Sequence, residues 1–240
     1  MKYTLTIDVS LLSVKTTLID ENNAQRQHEL PLATTDAERA TITPDQIYNQ
    51  TLAAIKEANK LLLDSPAAKI EEIIFSEISL DGLMPLDKDF EPLMPVMYGQ
   101  DTQKYVDALT MNGVTGQLQR KMGLSLLDRT PFVLILWLKN EQPDVYEKAV
   151  HYMSLQSYII YRLFGKNIIS RAYAARTGLY DLVTDEWDTQ ALALSGLTTA
   201  ALPEVTDFSD QTFTTSDEVP PKQGLAFLQH FTLNKVCYNN

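Results

Sequence analysis

Apolar residues alternate strictly at the start of the chain. Tyr3, Leu5, Ile7 and Val9 punctuate Lys2–Val9, the period-two pattern of a strand with one buried face. The turn Ser10-Leu11-Leu12-Ser13 separates this strand from a second at residues 14–20. A third, roughly residues 25–32, follows the turn Glu21-Asn22-Asn23-Ala24. The period then lengthens. Ile47, Thr51, Ile55, Ala58 and Leu62 recur at helical spacing. Thr43 stands at the N-cap, Pro44 at the first helical position and Gln46 where a capping box needs it. Ser65-Pro66 ends the helix, and residues 70–76 read as the next strand.

Three antiparallel strands, a helix and a further strand follow the order of a ribonuclease H-like α/β fold, the building block of actin-like ATPases. The expected architecture is a mixed sheet flanked by helices, with a helical insertion. Residues 83–86 and 95–98 are short strand-like pieces on either side of the turn Asp87-Lys88-Asp89. After them the pattern becomes helical: residues 102–111 ending at Gly113, residues 131–140 (apolar nearly all round), residues 143–150, residues 154–164 ending at Gly165, and Thr189–Ser195 capped by Asp188 and closed by Gly196. From 206 to 223 the chain is polar and contains prolines, and the terminal segment has no firm assignment. The whole is read as a single domain, residues 1–240, with a βββαβ core to residue 100, a mainly helical part at 101–205, and a loop with an uncertain terminal element at 206–240.

Composition narrows the function. The formal net charge is −11 in 240 residues, which argues against nucleic acid and anionic membranes as partners. The longest apolar run is too short to span a bilayer. One cysteine, Cys237, leaves no internal disulfide or Cys-rich metal site. The three histidines are scattered without ligand spacing. The first residues enter a strand with no signal-peptide pattern, and a soluble, cytoplasmic protein is the expectation.

The opening hairpin carries the first candidate chemistry. A strand ending in Asp8, a tight turn and Lys15 opening the next strand form a layout able to hold the phosphates of a magnesium nucleotide. Asp8 can position hydrated magnesium, and turn amides can point at phosphate oxygens. That second task needs backbone close to the ligand, which normally means glycine. Here Ser10 opens the turn and two leucines fill its tip. An ordinary hairpin with an incidental Asp and Lys is the competing reading, and on these residues both stand.

Several stretches together resemble the N-terminal domain of the FGGY carbohydrate kinases, nearest the gluconate and xylulose kinase branch. The most specific is Ala174-Ala175-Arg176-Thr177-Gly178-Leu179-Tyr180-Asp181, followed by Trp187-Asp188. Leu136-Trp137-Leu138-Lys139-Asn140, Pro143-Asp144-Val145-Tyr146, the run from Ser157 to Gly165, and Leu202-Pro203-Glu204-Val205 are similar too, in order and in register. The resemblance implies ATP-dependent phosphorylation of a sugar or sugar acid, with ATP and Mg as cofactors.

The residues that carry that chemistry in the family are mostly replaced. The family's Asp-x-Gly-Thr-Thr-x-x-Lys loop is here Asp8-Val9-Ser10-Leu11-Leu12-Ser13-Val14-Lys15. Asp8 and Lys15 persist, Ser10 takes the glycine's place, and Leu11 and Leu12 are expected to face the charged ligand. The sugar-binding Gln-Met-His segment falls on Ile78-Ser79-Leu80, or one residue later to include Asp81, with no histidine in either register. The Trp-x-Asp-x-Arg segment falls near Tyr98-Gly99-Gln100-Asp101, its carboxylate position taken by Gln100 or displaced to Asp101. The His-Pro-Met loop has become the run from Met122 to Arg129, and the Asp that opens the family's Asp-x-x-x-Ala-Ser run is Ser170. Aligned loosely, residues 231–237 stand for the last strand, and Asn239-Asn240 for the Asp-Gly that supplies the general base. Asn cannot accept a proton at neutral pH.

The family's second, nucleotide-binding domain has no counterpart in this sequence. The expectation is a carbohydrate kinase-like protein with impaired catalysis, one that need bind neither ATP nor Mg. The alternative is a non-catalytic pseudokinase domain that binds a sugar, a metabolite or a protein. Half of a split enzyme ranks last, because its site residues would be kept. A homodimer, or a partner covering the open cleft, is expected on the same grounds.

Overall fold

The computed structural model describes residues 2–60, 68–75, 82–123, 125–206 and 236–237. The first elements are β1 (Lys2–Val9), β2 (Ser13–Asp20), β3 (Gln25–Pro31), α1 (Asp36–Arg39), α2 (Pro44–Lys60) and β4 (Lys69–Phe75). Then come β5 (Leu83–Leu86), α3 (Gln103–Met111), α4 (Val114–Met122), α5 (Pro131–Glu141), α6 (Pro143–Lys148), β6 (His151–Ser154) and α7 (Leu155–Phe164). The last are β7 (Ile168–Ser170), α8 (Arg171–Arg176), β8 (Tyr180–Asp181), β9 (Glu186–Trp187), α9 (Thr189–Ser195), β10 (Glu204–Thr206) and β11 (Val236–Cys237). They divide into two compact units. One holds residues 1–79, 156–168 and 207–240; the other holds 80–155 and 169–206.

The first unit is built on a sheet of order β11-β4-β1-β2-β3. β1, β2 and β3 are antiparallel neighbours, while β4 and β11 run parallel to β1. This is the arrangement the element order predicts. The β1 alternation has its expected cause: Tyr3, Leu5, Ile7 and Val9 are buried, and Thr4, Thr6 and Asp8 between them are half-buried. A parallel neighbour needs a crossover, and α2 supplies it, packing against β2 and β3. Its start is the predicted capping box. Gln46 Oε1 accepts from the Thr43 N–H at 2.7 Å, and the Gln46 N–H donates to Thr43 Oγ1 at 3.3 Å. α2 and α7 are joined by Arg162, which donates to Asp45 at 2.7 Å and lies 4.1 Å from the centre of the Tyr48 ring. β11 pairs with Ile73 and Ile74 of β4, within the stretch 231–237 that the family alignment reads as its last strand. Asn239 lies outside the described residues.

The second unit is mainly helical around a continuous apolar core. α5 is buried at Pro131 to Ile135 and at Leu138, with Leu136 and Trp137 packed against that core. Several short elements were not predicted, α4 and β6 among them. α4 starts on Gly113 and ends on Gly123, both with positive φ, and β6 pairs antiparallel with β5. The β5–β6 ribbon places His151 over the Phe90 ring, with ring centres 4.0 Å apart and planes within 5°. Burial holds the His151 imidazole below its ordinary pKa, partly opposed by a backbone hydrogen bond to Ala200 and by Asp87. The unfolded chain therefore binds the proton more readily, and the stabilisation from neutral His151 fades as pH falls below about 6.5. The wild-type Tm should drop more steeply between pH 7 and 5 than that of His151→Phe, measured by scanning calorimetry.

Candidate functional site

Two places carry candidate chemistry, one in each unit. The first is the β1–β2 hairpin. Asp8 lies directly opposite Lys15, and Lys15 directly opposite Glu29 on β3, so the three share one face of the sheet. Ser10 closes the turn on itself. Its Oγ accepts from the Leu12 and Ser13 N–H groups, both at 3.1 Å, and donates to the Ser13 carbonyl at 3.1 Å. The Ser10 N–H donates to the same carbonyl at 3.0 Å. The two amides at the tip are thus directed at a side chain of their own turn. Leu12 is tied down further, its carbonyl accepting from Leu32 and Ala33 at 2.7 and 3.2 Å.

One expectation is corrected here. Leu11 and Leu12 do not both face out: Leu11 is fully buried at 0% exposure, and only Leu12, at 45%, is exposed. The turn swings the first leucine inward, where burial of its side chain contributes about 1.5–3 kcal/mol. Because Ser10 satisfies two tip amides that water would otherwise solvate, Ser10→Ala should cost about 0.5–1.5 kcal/mol, read as a lower urea midpoint with an unchanged m-value.

The second place is a small open depression in the helical unit, lined by Gly82, Tyr98, Gln100, Asp128, Arg129 and Leu134 among others. It gathers two of the sequence-predicted substrate residues, Tyr98 and Gln100. Asp101 is exposed and does not line it. Ser79, Leu80 and Asp81 lie outside the described residues, although Gly82 next to them lines the wall. Gln100 Oε1 is buried and accepts no hydrogen bond. Arg129 Nη1 donates to the Tyr98 hydroxyl at 3.4 Å, and its guanidinium carbon sits 5.2 Å from the centre of that ring. The Asp128 carboxylate accepts from the Arg129 N–H at 3.0 Å, and the Asp128 carbonyl accepts from Thr102 Oγ1 at 2.7 Å. Sequence reasoning placed Asp128 and Arg129 in a remodelled loop but did not assign them to a site. The available signal was a charged pair immediately before the Thr130-Pro131 helix start.

The model of the FGGY family of carbohydrate kinases, N-terminal domain, matches residues 3–227. The chain belongs to this family. It is 28% identical over 203 residues to a gluconokinase of Bacillus subtilis (strain 168), covering 82% of this chain and 38% of that protein. It is 26% identical over 236 residues to a xylulose kinase of the same organism, covering 94% and 46%. The crystal structure of gluconate kinase from Lactobacillus acidophilus superposes with a TM-score of 0.83 at 25% identity, over 99% of this chain and 48% of that one. The FGGY chain spans less than half the length of these relatives, and its fold is the actin-like ATPase fold expected from its element order.

Most of the FGGY signature has a structural task. Thr177 Oγ1 donates to the Ala174 carbonyl at 2.6 Å and accepts from the Leu179 N–H at 3.1 Å, while the Thr177 carbonyl accepts from the Phe132 N–H at 2.9 Å. Asp181 closes the next turn by accepting from Val183 at 2.8 Å. Tyr180 meets Trp187 edge to face at 5.4 Å. Ser170, where the family has Asp, caps α8 by accepting from the Tyr173 N–H at 3.0 Å. Asp188 caps α9 through Ala191 at 2.8 Å and pairs with Lys121. Asp188→Ala removes cap and pair together and should cost about 2–4 kcal/mol, whereas Asp188→Asn keeps a cap oxygen and should cost about half as much. Chemical denaturation of both variants checks the ratio.

Proposed function

We propose that this FGGY domain binds a small sugar or sugar acid in the pocket beside Tyr98 and Gln100, and that phosphoryl transfer by this chain is impaired. One observation carries the second half: Ser10 Oγ holds the Leu12 and Ser13 amides that a glycine-opened turn would leave for phosphate oxygens. Phosphoryl transfer is mostly positioning and charge stabilisation, and a side chain in the cradle removes both. The family's ATP and Mg do not fit this turn as it stands. Asp8 keeps the place from which a carboxylate can hold hydrated magnesium, and Lys15 keeps its cationic place opposite, but the amides between them are engaged. Asn239, standing where the family's general base is expected, reinforces this reading, since an amide takes no proton from a sugar hydroxyl.

The test is a coupled assay of the purified chain with ATP, magnesium and a panel of gluconate, xylulose and glycerol. No sugar phosphate above background is the expected result, and robust turnover would refute impairment. Titration calorimetry with ATP should show no micromolar binding. A second reading, a non-catalytic binding domain, is favoured by the unsatisfied Gln100 Oε1 in an open pocket. It predicts a Tm that rises with the concentration of a bound sugar in the absence of any turnover. The cytoplasm is the compartment in which such a sugar would be met. Among the described residues no helix is long and apolar enough to cross a membrane.

A further inference from the structure

We infer that Asn112 is where this protein spontaneously loses a side-chain amide, by ring closure onto Gly113, and that the α3–α4 joint sets the rate by holding both reacting groups in hydrogen bonds. Asn112-Gly113 is the only Asn-Gly pair in the sequence. Asparagine is a thermolabile residue, most of all before glycine, whose missing side chain leaves the following amide nitrogen unshielded. Asn112 ends α3 and Gly113 opens α4, and both are exposed to water. The chemistry needs nothing else. The Gly113 amide nitrogen gives its proton to solvent base and attacks Asn112 Cγ. An N–Cγ bond forms, the Cγ–Nδ2 bond breaks, and Nδ2 leaves as ammonia with a proton from water. Water then opens the five-membered imide at either carbonyl, giving aspartate or isoaspartate, with no change of oxidation state.

Both reacting groups are engaged in the folded chain. The Gly113 N–H donates to the Thr110 carbonyl at 3.0 Å. Asn112 Nδ2 donates to the Ala108 carbonyl at 2.8 Å, which also accepts from the Asn112 N–H at 3.2 Å. Ring closure must also turn Asn112 far from its ψ of 5°, because the ring brings Cβ and the Gly113 nitrogen into one plane. The joint therefore opens locally before the step. Breaking two hydrogen bonds of ordinary strength makes that opening about tenfold or more unfavourable. The products then undo the joint. Each loses the Nδ2 donor on Ala108 and places a negative charge at the C-terminal end of α3, the wrong sign for that end of a helix. Isoaspartate also adds a backbone carbon between helices whose Leu109, Leu118 and Met122 are buried in one core.

The test is peptide mapping by mass spectrometry, with isoaspartate quantified, on the full chain kept in mildly alkaline buffer, native or unfolded in guanidinium chloride. Native Asn112 should be lost before any other asparagine of the described residues, and about tenfold or more slowly than in the unfolded chain. Gly113→Ala should slow the loss in both states. Its added Cβ meets nothing within 4 Å in the folded chain but crowds the attacking nitrogen, and the unfolded measurement stands whether or not the variant folds. Earlier loss at another described asparagine, or none at Asn112 over about a hundred unfolded half-lives, would overturn the site. Equal native and unfolded rates would overturn control by the joint, and a Gly113→Ala rate equal to wild type in the unfolded chain would overturn ring closure onto Gly113.

Discussion

Alanine in place of Gly178 is expected to destabilise the protein by about 2–4 kcal/mol. Gly178 has φ +77°, a left-handed conformation that costs an L side chain energy before any contact is considered. The added Cβ would also stand 2.8 Å from Thr130 Cγ2 and 2.9 Å from Phe132 Cβ. Neither neighbour can withdraw easily. Thr130 and Phe132 are buried, and the Phe132 N–H is bonded to the Thr177 carbonyl one residue away. For a domain of this size the loss corresponds to a Tm lower by roughly 5–15 °C. Alanine at Gly99 is the control: it has φ +73° but nothing within 4 Å of its added Cβ, so it should suffer only the conformational cost, about 1–2 kcal/mol. Equal losses at the two positions would show that packing at Gly178 does not matter. The glycine of the FGGY signature thus serves the seam between α5 and the turn after α8.

Local chemistry made part of this fold legible. The β1 alternation, the Thr43-Gln46 box, and the Asp188 and Gly196 ends of α9 each involve residues a few positions apart, so the sequence displays both partners at once. β6 was missed for the opposite reason. His151–Ser154 is short, lies between two helices, and becomes a strand only by pairing with Leu83–Leu86, far away in the chain. α4 was missed because Gly116 and the β-branched Val114 and Thr115 weaken its helical signal. At the candidate site, Tyr98 and Gln100 were singled out through the family resemblance. Arg129 was not, because only the folded chain brings its side chain onto Tyr98. That Ser10 fills its own turn was equally invisible: a serine in a glycine position reads as a loss, and the bonds it gains depend on the path of the backbone.

Restoring the family's loop residues should cost the protein stability and leave ATP affinity undetectable. Leu11→Thr is expected to destabilise by about 2–4 kcal/mol, because it trades a fully buried branched side chain for a smaller one with a hydroxyl to satisfy. Leu12→Thr, at a position 45% exposed, should stay within about 0.5 kcal/mol of wild type. Urea denaturation of the two variants gives the contrast directly, and similar midpoints for both would mean that Leu11 is not a core residue. Ser10→Gly alone frees the Leu12 and Ser13 amides but leaves Leu11 anchoring the turn beneath them, and the Leu12 carbonyl still bound to Leu32 and Ala33. ATP affinity should therefore remain undetectable by calorimetry in Ser10→Gly. A micromolar gain from that one change would show that the serine hydroxyl was the whole obstacle. The expected persistence follows from where the leucines went: the turn that would cradle phosphate has been absorbed at one end into the hydrophobic core, and its backbone is now set by packing.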